Sequence, residues 1–110
     1  MSFEIVFTDS FYRKLKPLIK KYSSIKQDLT RLRADLQAYP TAGDALGRDC
    51  YKVRMRIEAK GKGKSGGARV ITCVKVVANR IYLLTIYDKS EQASIPDREW
   101  DELLRENGLL

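Results

Sequence analysis

The stretch CYKVRMRIE, Cys50 to Glu58, alternates without a break: Tyr51, Val53, Met55 and Ile57 fall on one side, and Lys52, Arg54 and Arg56 on the other. Successive side chains of a strand point to opposite faces, so this segment is read as a strand with one buried face and one face that is a row of cations. Such a strand needs neighbours, and the next two segments supply them. Arg69 to Val77 (RVITCVKVV) and Ile81 to Tyr87 (IYLLTIY) are rich in β-branched and aromatic residues and are joined by the short turn Ala78-Asn79-Arg80. Between the first and second of these strands, Ala59 to Gly67 (AKGKGKSGG) reads as a flexible basic hairpin loop, glycine giving unusual backbone and lysine giving charge. The three strands form the centre of an antiparallel sheet.

Upstream, Ser2 to Phe7 (SFEIVF) is a short first strand, with Phe3, Ile5 and Phe7 alternating. Thr8 or Asp9 can cap a helix in which Phe11, Leu15, Leu18, Ile19 and Tyr22 form one stripe, while Pro17 is expected to kink or split it. A second helix begins at the apparent capping box of Ser24 and Gln27, carries Ile25, Leu29, Leu32, Leu36 and Tyr39 at helical spacing, and ends before Pro40. Pro40 to Asp49 (PTAGDALGRD) reads as a loop, and after Asp88 to Pro96 the acidic segment Asp97 to Asn107 makes a last short helix with Trp100, Leu103 and Leu104 as its apolar side. The expected fold is therefore α+β, in the order β-α-α-β-β-β-α. Two N-terminal helices pack on one face of a mostly antiparallel sheet, and the whole of residues 1–110 is one domain.

The chain carries Lys+Arg 21 against Asp+Glu 14, a formal net charge of +7. Arg48 to Arg69 alone holds eight basic residues against two acidic ones, Asp49 and Glu58, so that window accounts for +6. A surface so polarised suits a polyanion, and phosphate is the commonest polyanion inside cells. There is no histidine and there are two cysteines, Cys50 and Cys73, so the usual zinc ligand sets cannot be assembled and a catalytic histidine is excluded. No cofactor is expected. Both cysteines lie in apolar strands and are expected as buried free thiols. No apolar run is long enough to cross a membrane and no secretory signal is visible at the N-terminus, which points to the cytoplasm.

The order of elements, CYKVRMR, the glycine-rich basic loop ending GKSGGARVI, the strand IYLLTIYDKSE and the short acidic tail together resemble the RelE/ParE superfamily of toxins. Within it the chain is most similar to the HigB-type branch, through the stretches Lys62 to Ile71 and Leu83 to Glu91. The resemblance implies the toxin of a type II toxin-antitoxin pair. It further implies a metal-independent endoribonuclease that cuts mRNA on the 70S ribosome and is neutralised by a cognate antitoxin. Carried over residue by residue, Lys52 and Arg54 match two basic positions of the family's second strand, Arg69 matches the arginine opening the third, and Lys89 matches a basic residue after the last. A second arginine expected beside Lys89 is Ser90 here, and Ile95 and Pro96 stand where some members place a tyrosine.

RNA contains its own nucleophile, the 2′-OH, so cleavage needs positioning, proton transfer and neutralisation of charge on the phosphate. Arg54 and Arg69 are the expected phosphate grips, with Arg69 leaving the sheet toward solvent, and Lys52 the base or electrostatic stabiliser. Tyr87 is either a proton-transfer group or a core aromatic. Arg56, Lys60, Lys62, Lys64 and Glu91 are expected along the substrate. Asp88 or Glu91 is either a base or merely a partner of Lys89 or Arg69. Two other functions fit the composition: a ParE-like poison of DNA gyrase without nuclease activity, and a non-catalytic RNA-binding domain.

Overall fold

A computed structural model describes residues 3–61 and 63–110. Strand β1 (Glu4–Phe7) leads into helices α1 (Asp9–Lys21) and α2 (Ile25–Ala38); strands β2 (Asp44–Gly47), β3 (Cys50–Met55), β4 (Ala68–Lys75) and β5 (Arg80–Asp88) follow, and helix α3 (Asp97–Glu106) closes the chain. The five strands form one sheet in the order β1-β5-β4-β3-β2, antiparallel except that β1 runs parallel to β5. This is the expected α+β arrangement with one strand more.

That strand, β2, lies inside the segment read as a loop. It pairs with β3 through a two-residue turn at Arg48 and Asp49, both at positive φ (55° and 64°). Such turns usually contain glycine, so the sequence signal for a hairpin was missing. Tertiary contacts hold the turn instead: the Arg48 guanidinium donates to Asp101 Oδ1 at 2.8 Å and lies 5.4 Å from the Trp100 ring centre.

Thr8 caps α1 as its Oγ1 accepts from the Phe11 N–H at 3.2 Å. The helix then runs through Pro17 without interruption, its exposed ring forfeiting one hydrogen bond rather than splitting the element. The capping box expected at Ser24 and Gln27 does not form. Ser24 Oγ instead donates to Asp28 Oδ2 at 2.8 Å and accepts from the Ala59 N–H at 2.8 Å, while the buried Asp28 carboxylate accepts from the Glu58 N–H. The start of α2 thereby clamps the single 3-10 turn Glu58–Lys60 that opens the basic loop.

One core lies between the sheet and the two N-terminal helices, with Phe11, Leu15, Leu18, Ile25, Leu32 and Leu36 facing Val53, Met55, Val70, Ile81, Leu83 and Ile86. A second, smaller core lies on the opposite face, where Leu103 and Leu104 of α3 cover Cys50, Ile71, Cys73 and Leu84, with Trp100 beside them. Cys50 and Cys73 are buried free thiols facing each other across β3 and β4. The C-terminal helix thus occupies the half of that face nearest the β2–β3 turn, and the other half stays open.

A bulge decides what the open half carries. The β4–β5 register runs Ile71 opposite Thr85 and then Thr72 opposite Leu83, leaving Leu84 as an extra residue on β5. Ile81 and Leu83 face the helices, but after the bulge so does Ile86. Uninterrupted alternation from Leu83 would put Tyr87 on the helix side; the reset turns it to the cation side and sends Asp88 under the helices. Thr8 and Ser10 stabilise the bulge, their hydroxyls donating to the Leu83 and Leu84 carbonyls at 2.7 and 2.6 Å.

Candidate active site and nucleic-acid interface

The register of the sheet lines up a row across three strands. Arg54 of β3 stands opposite Arg69 of β4, which stands opposite Tyr87 of β5, so all three share the open face, with Lys52 two residues from Arg54 on the same side. Directly opposed residues sit about 5 Å apart at Cα, so the row is compact. Two like charges side by side destabilise a sheet unless something else requires them there. Among the described residues none of Lys52, Arg54, Lys64, Arg69 and Lys89 forms an ion pair, whereas the other cations of the basic window are spent: Arg48 on Asp101, Arg56 on Glu58 at 3.1 Å, and Lys60 on Asp88.

Arg69 does not leave the sheet for solvent as expected. It is 5% exposed, and its guanidinium donates to the carbonyls of Lys64 (3.3 Å), Ser65 (3.1 Å) and Ala68 (3.2 Å). The basic loop folds back over the start of β4 and supplies the first two acceptors, and the strand's own Ala68 supplies the third, so the side chain is aimed by backbone. A guanidinium held by neutral carbonyls keeps its charge uncompensated and its direction fixed, which is the preorganisation an anion site uses. Close approach at the loop's end requires glycine: a Cβ at Gly67 would stand 2.2 Å from the Met55 carbonyl oxygen.

Tyr87 is 6% exposed, and its hydroxyl has no hydrogen-bond partner among the described residues. Burial pushes its phenol above the ordinary value, with the neighbouring Arg69 charge working in the opposite direction. At neutral pH it is a protonated donor with no acceptor, next to a guanidinium. An unsatisfied buried hydroxyl costs free energy, and active sites are where such costs are found.

Lys60, expected along the substrate, is committed elsewhere. Its side chain is 9% exposed and its ammonium donates to Asp88 Oδ1 at 2.8 Å. Asp88, 1% exposed at the side chain, also accepts from Tyr22 Oη at 2.5 Å and from the Ser90 hydroxyl and N–H at 2.7 and 2.9 Å. Burial alone would raise its carboxyl, but the donors from Lys60, Tyr22 and Ser90 overcome it and hold it well below the usual carboxylate range. Neither acid pairs with Lys89 or Arg69: Asp88 ties the basic loop to α1, and Glu91 binds Lys21 at 2.9 Å. Lys89 donates through its N–H to the Gly67 carbonyl and through its ammonium to the Ala93 carbonyl at 3.3 Å, beside the row and not within it. Arg56 and Lys64 are exposed at the rim, and Lys62 lies outside the described residues. The hub at Asp88 escaped the sequence reading because its members are 66 and 28 residues away, at Tyr22 and Lys60.

With this geometry in view, the sequence model of the family described as "RelE toxin of RelE / RelB toxin-antitoxin system" matches residues 12–107. The chain belongs to the RelE toxin family. Solved RelE structures share its fold. A free E. coli RelE toxin double mutant superposes with a TM-score of 0.62 at 19% identity, covering 96% of this chain and 98% of that one. The toxin in the intact E. coli RelBE toxin-antitoxin complex gives a TM-score of 0.57 at 20% identity, over 79% of this chain and 96% of that one. No helix among the described residues is long and apolar enough to cross a membrane.

Proposed function

We propose that this RelE-family toxin is an endoribonuclease that cuts mRNA on the translating ribosome, in the cytoplasm, and is held inactive by a cognate antitoxin encoded beside it. The observation that carries the reading is the row Arg54, Arg69 and Tyr87: among the described residues, two cations without counter-ions and a buried phenol without an acceptor, in register on the open face. A phosphodiester supplies what all three lack.

In the reaction the 2′-oxygen attacks the adjacent phosphorus, the bond from phosphorus to the 5′-oxygen breaks, and a cyclic phosphate and a 5′-hydroxyl result. Arg69, aimed by its carbonyl cradle, and Arg54 neutralise the charge that builds on the non-bridging oxygens. Lys52 takes the 2′-OH proton as a neutral amine, or as an ammonium stabilises the attacking oxygen while solvent takes the proton. Tyr87, protonated at neutral pH, delivers a proton to the departing 5′-oxygen. Lys64 and Lys89 guide the strand at the rim, with Arg56, already paired with Glu58, at its edge. The antitoxin covers this face: a cluster of unpaired cations is an electrostatic target for an acidic segment, and RelE of E. coli has been solved in complex with RelB.

Primer extension on a translated message after toxin induction, against the same RNA without ribosomes, tests the reading. Discrete cuts in the translated message alone, lost in Lys52→Ala, are expected. Growth arrest with intact mRNA would refute it and move the gyrase-poison function ahead.

A further inference from the structure

β2 pairs with β3 only as far as Asp44 opposite Lys52. Beyond that point no strand lies along the outer edge of β3 among the described residues, and a cleft of about 180 Å³ opens between β3 and α2. Its floor is apolar, formed by the buried side chains of Leu32 and Met55. Arg54 and Lys64 stand on its rim, and the same two residues border a second groove of about 230 Å³ that contains Lys52 and Gly43. A Cβ at Gly43 would lie 2.4 Å from the Lys52 carbonyl oxygen, so the chain there packs directly on the β3 backbone and only glycine fits at the wall of this groove. Two cations thus separate two adjoining depressions, one leading to the row described above and one floored by hydrocarbon.

The unexpected group in the apolar-floored cleft is Asp35. It lies on the exposed side of α2 and lines the cleft, yet forms no ion pair or side-chain hydrogen bond among the described residues, although Arg31, Arg54, Arg56 and Lys64 line the same space. The neighbouring Asp28 offers a contrast: it is buried and saturated by Ser24 and the Glu58 N–H. A free carboxylate beside two phosphate-gripping cations repels phosphate, and an apolar floor offers phosphate nothing. Both features suit a flat heterocycle that brings its own hydrogen-bond donor.

We propose that this cleft is a nucleobase subsite for the base next to the phosphate held by Arg54 and Lys64. The ring lies on Leu32 and Met55, and an exocyclic amino group donates to Asp35. Adenine, guanine and cytosine carry such an amino group; uracil has no exocyclic donor, and its one base-edge N–H is flanked by two carbonyl oxygens that a carboxylate repels. The subsite therefore favours an amino-bearing base and disfavours uracil at one position beside the cut. This rests on the ribonuclease reading above.

The test uses the full-length toxin and a translated mRNA library with randomised codons, the cut ends being sequenced for the parent and for Asp35→Ala. Asp35 is exposed on a helix, where alanine is a good helix former, so the variant folds. The parent is expected to cut with uracil depleted at one fixed position beside the cleaved bond. In Asp35→Ala the ratio of uracil-bearing to amino-bearing sites at that position rises about tenfold, the effect of one hydrogen bond to a charged group. A parent that cuts with no bias against uracil, or a variant that cuts with the parent's bias unchanged, overturns the subsite while leaving the nuclease standing. A parent that cuts no message in the library overturns both.

Discussion

Replacing Asp88 by alanine removes the acceptor at the centre of the structure's most connected polar cluster. Its carboxylate is 1% exposed and the Lys60 side chain 9% exposed, with the two 2.8 Å apart. Breaking a buried ion pair by deleting one partner costs about 3–5 kcal/mol, because the surviving charge stays buried without compensation. Ser90 is exposed and can turn to water, and Lys21, 51% exposed at its side chain and 3.8 Å from Asp88, contributes little. These points place the loss at the lower end, about 3 kcal/mol. At roughly 4 °C or more per kcal/mol for a domain of this size, the thermal midpoint falls by about 12 °C or more. Lys60→Met alone leaves Asp88 with Tyr22 and Ser90 and costs less, and the double variant is expected to recover part of the loss, with a coupling of about 1–3 kcal/mol. Thermal unfolding followed by circular dichroism at pH 7 measures all four proteins. Because the Asp88 carboxyl is held below its ordinary range, its contribution is present above the unfolded value near pH 4 and fades as the pH falls further. A drop of less than about 4 °C in Asp88→Ala, or strict additivity with Lys60→Met, would refute the argument.

Tyr87→Phe removes a buried hydroxyl that has no partner among the described residues, so the midpoint should stay level or rise by a few degrees while cleavage of translated mRNA falls; a clear loss of stability would mean that the hydroxyl is satisfied after all. Lys52→Ala and Arg54→Ala should each lower cleavage by roughly 10²-fold with stability changed by about 0.5 kcal/mol or less, since among the described residues neither side chain has an ion-pair partner to lose; unfolding curves and primer extension on the same preparations check this. Leu104→Ala should cost about 2–5 kcal/mol and open the second core, so that the buried Cys50 and Cys73, expected to resist a thiol reagent in the parent, become labelled at rates that follow the loosening of α3.

Local pattern was enough for a large part of this protein. The strict alternation of CYKVRMRIE placed Lys52 and Arg54 on one face of a strand and Val53 and Met55 on the other, because a strand's period of two is a property of its own backbone. The apolar stripes of α1 and α2 and the anchors Trp100, Leu103 and Leu104 were readable for the same reason, and the family motifs drew Arg69 and Lys89 toward the site. What sequence could not place depends on partners distant along the chain. Alternation alone would turn Tyr87 under the helices; the bulge at Leu84, satisfied by Thr8 and Ser10, turns it beside Arg69. Composition made Lys60 a free cation of a basic loop; a carboxylate 28 residues later, at Asp88, withdraws it. The family position made Arg69 look exposed, whereas the Lys64 and Ser65 carbonyls of the returning loop and the Ala68 carbonyl of its own strand take up its guanidinium. Periodicity is written residue by residue, so the sequence carries it; strand register, and which cations are left without a counter-ion, exist only once the chain has closed on itself.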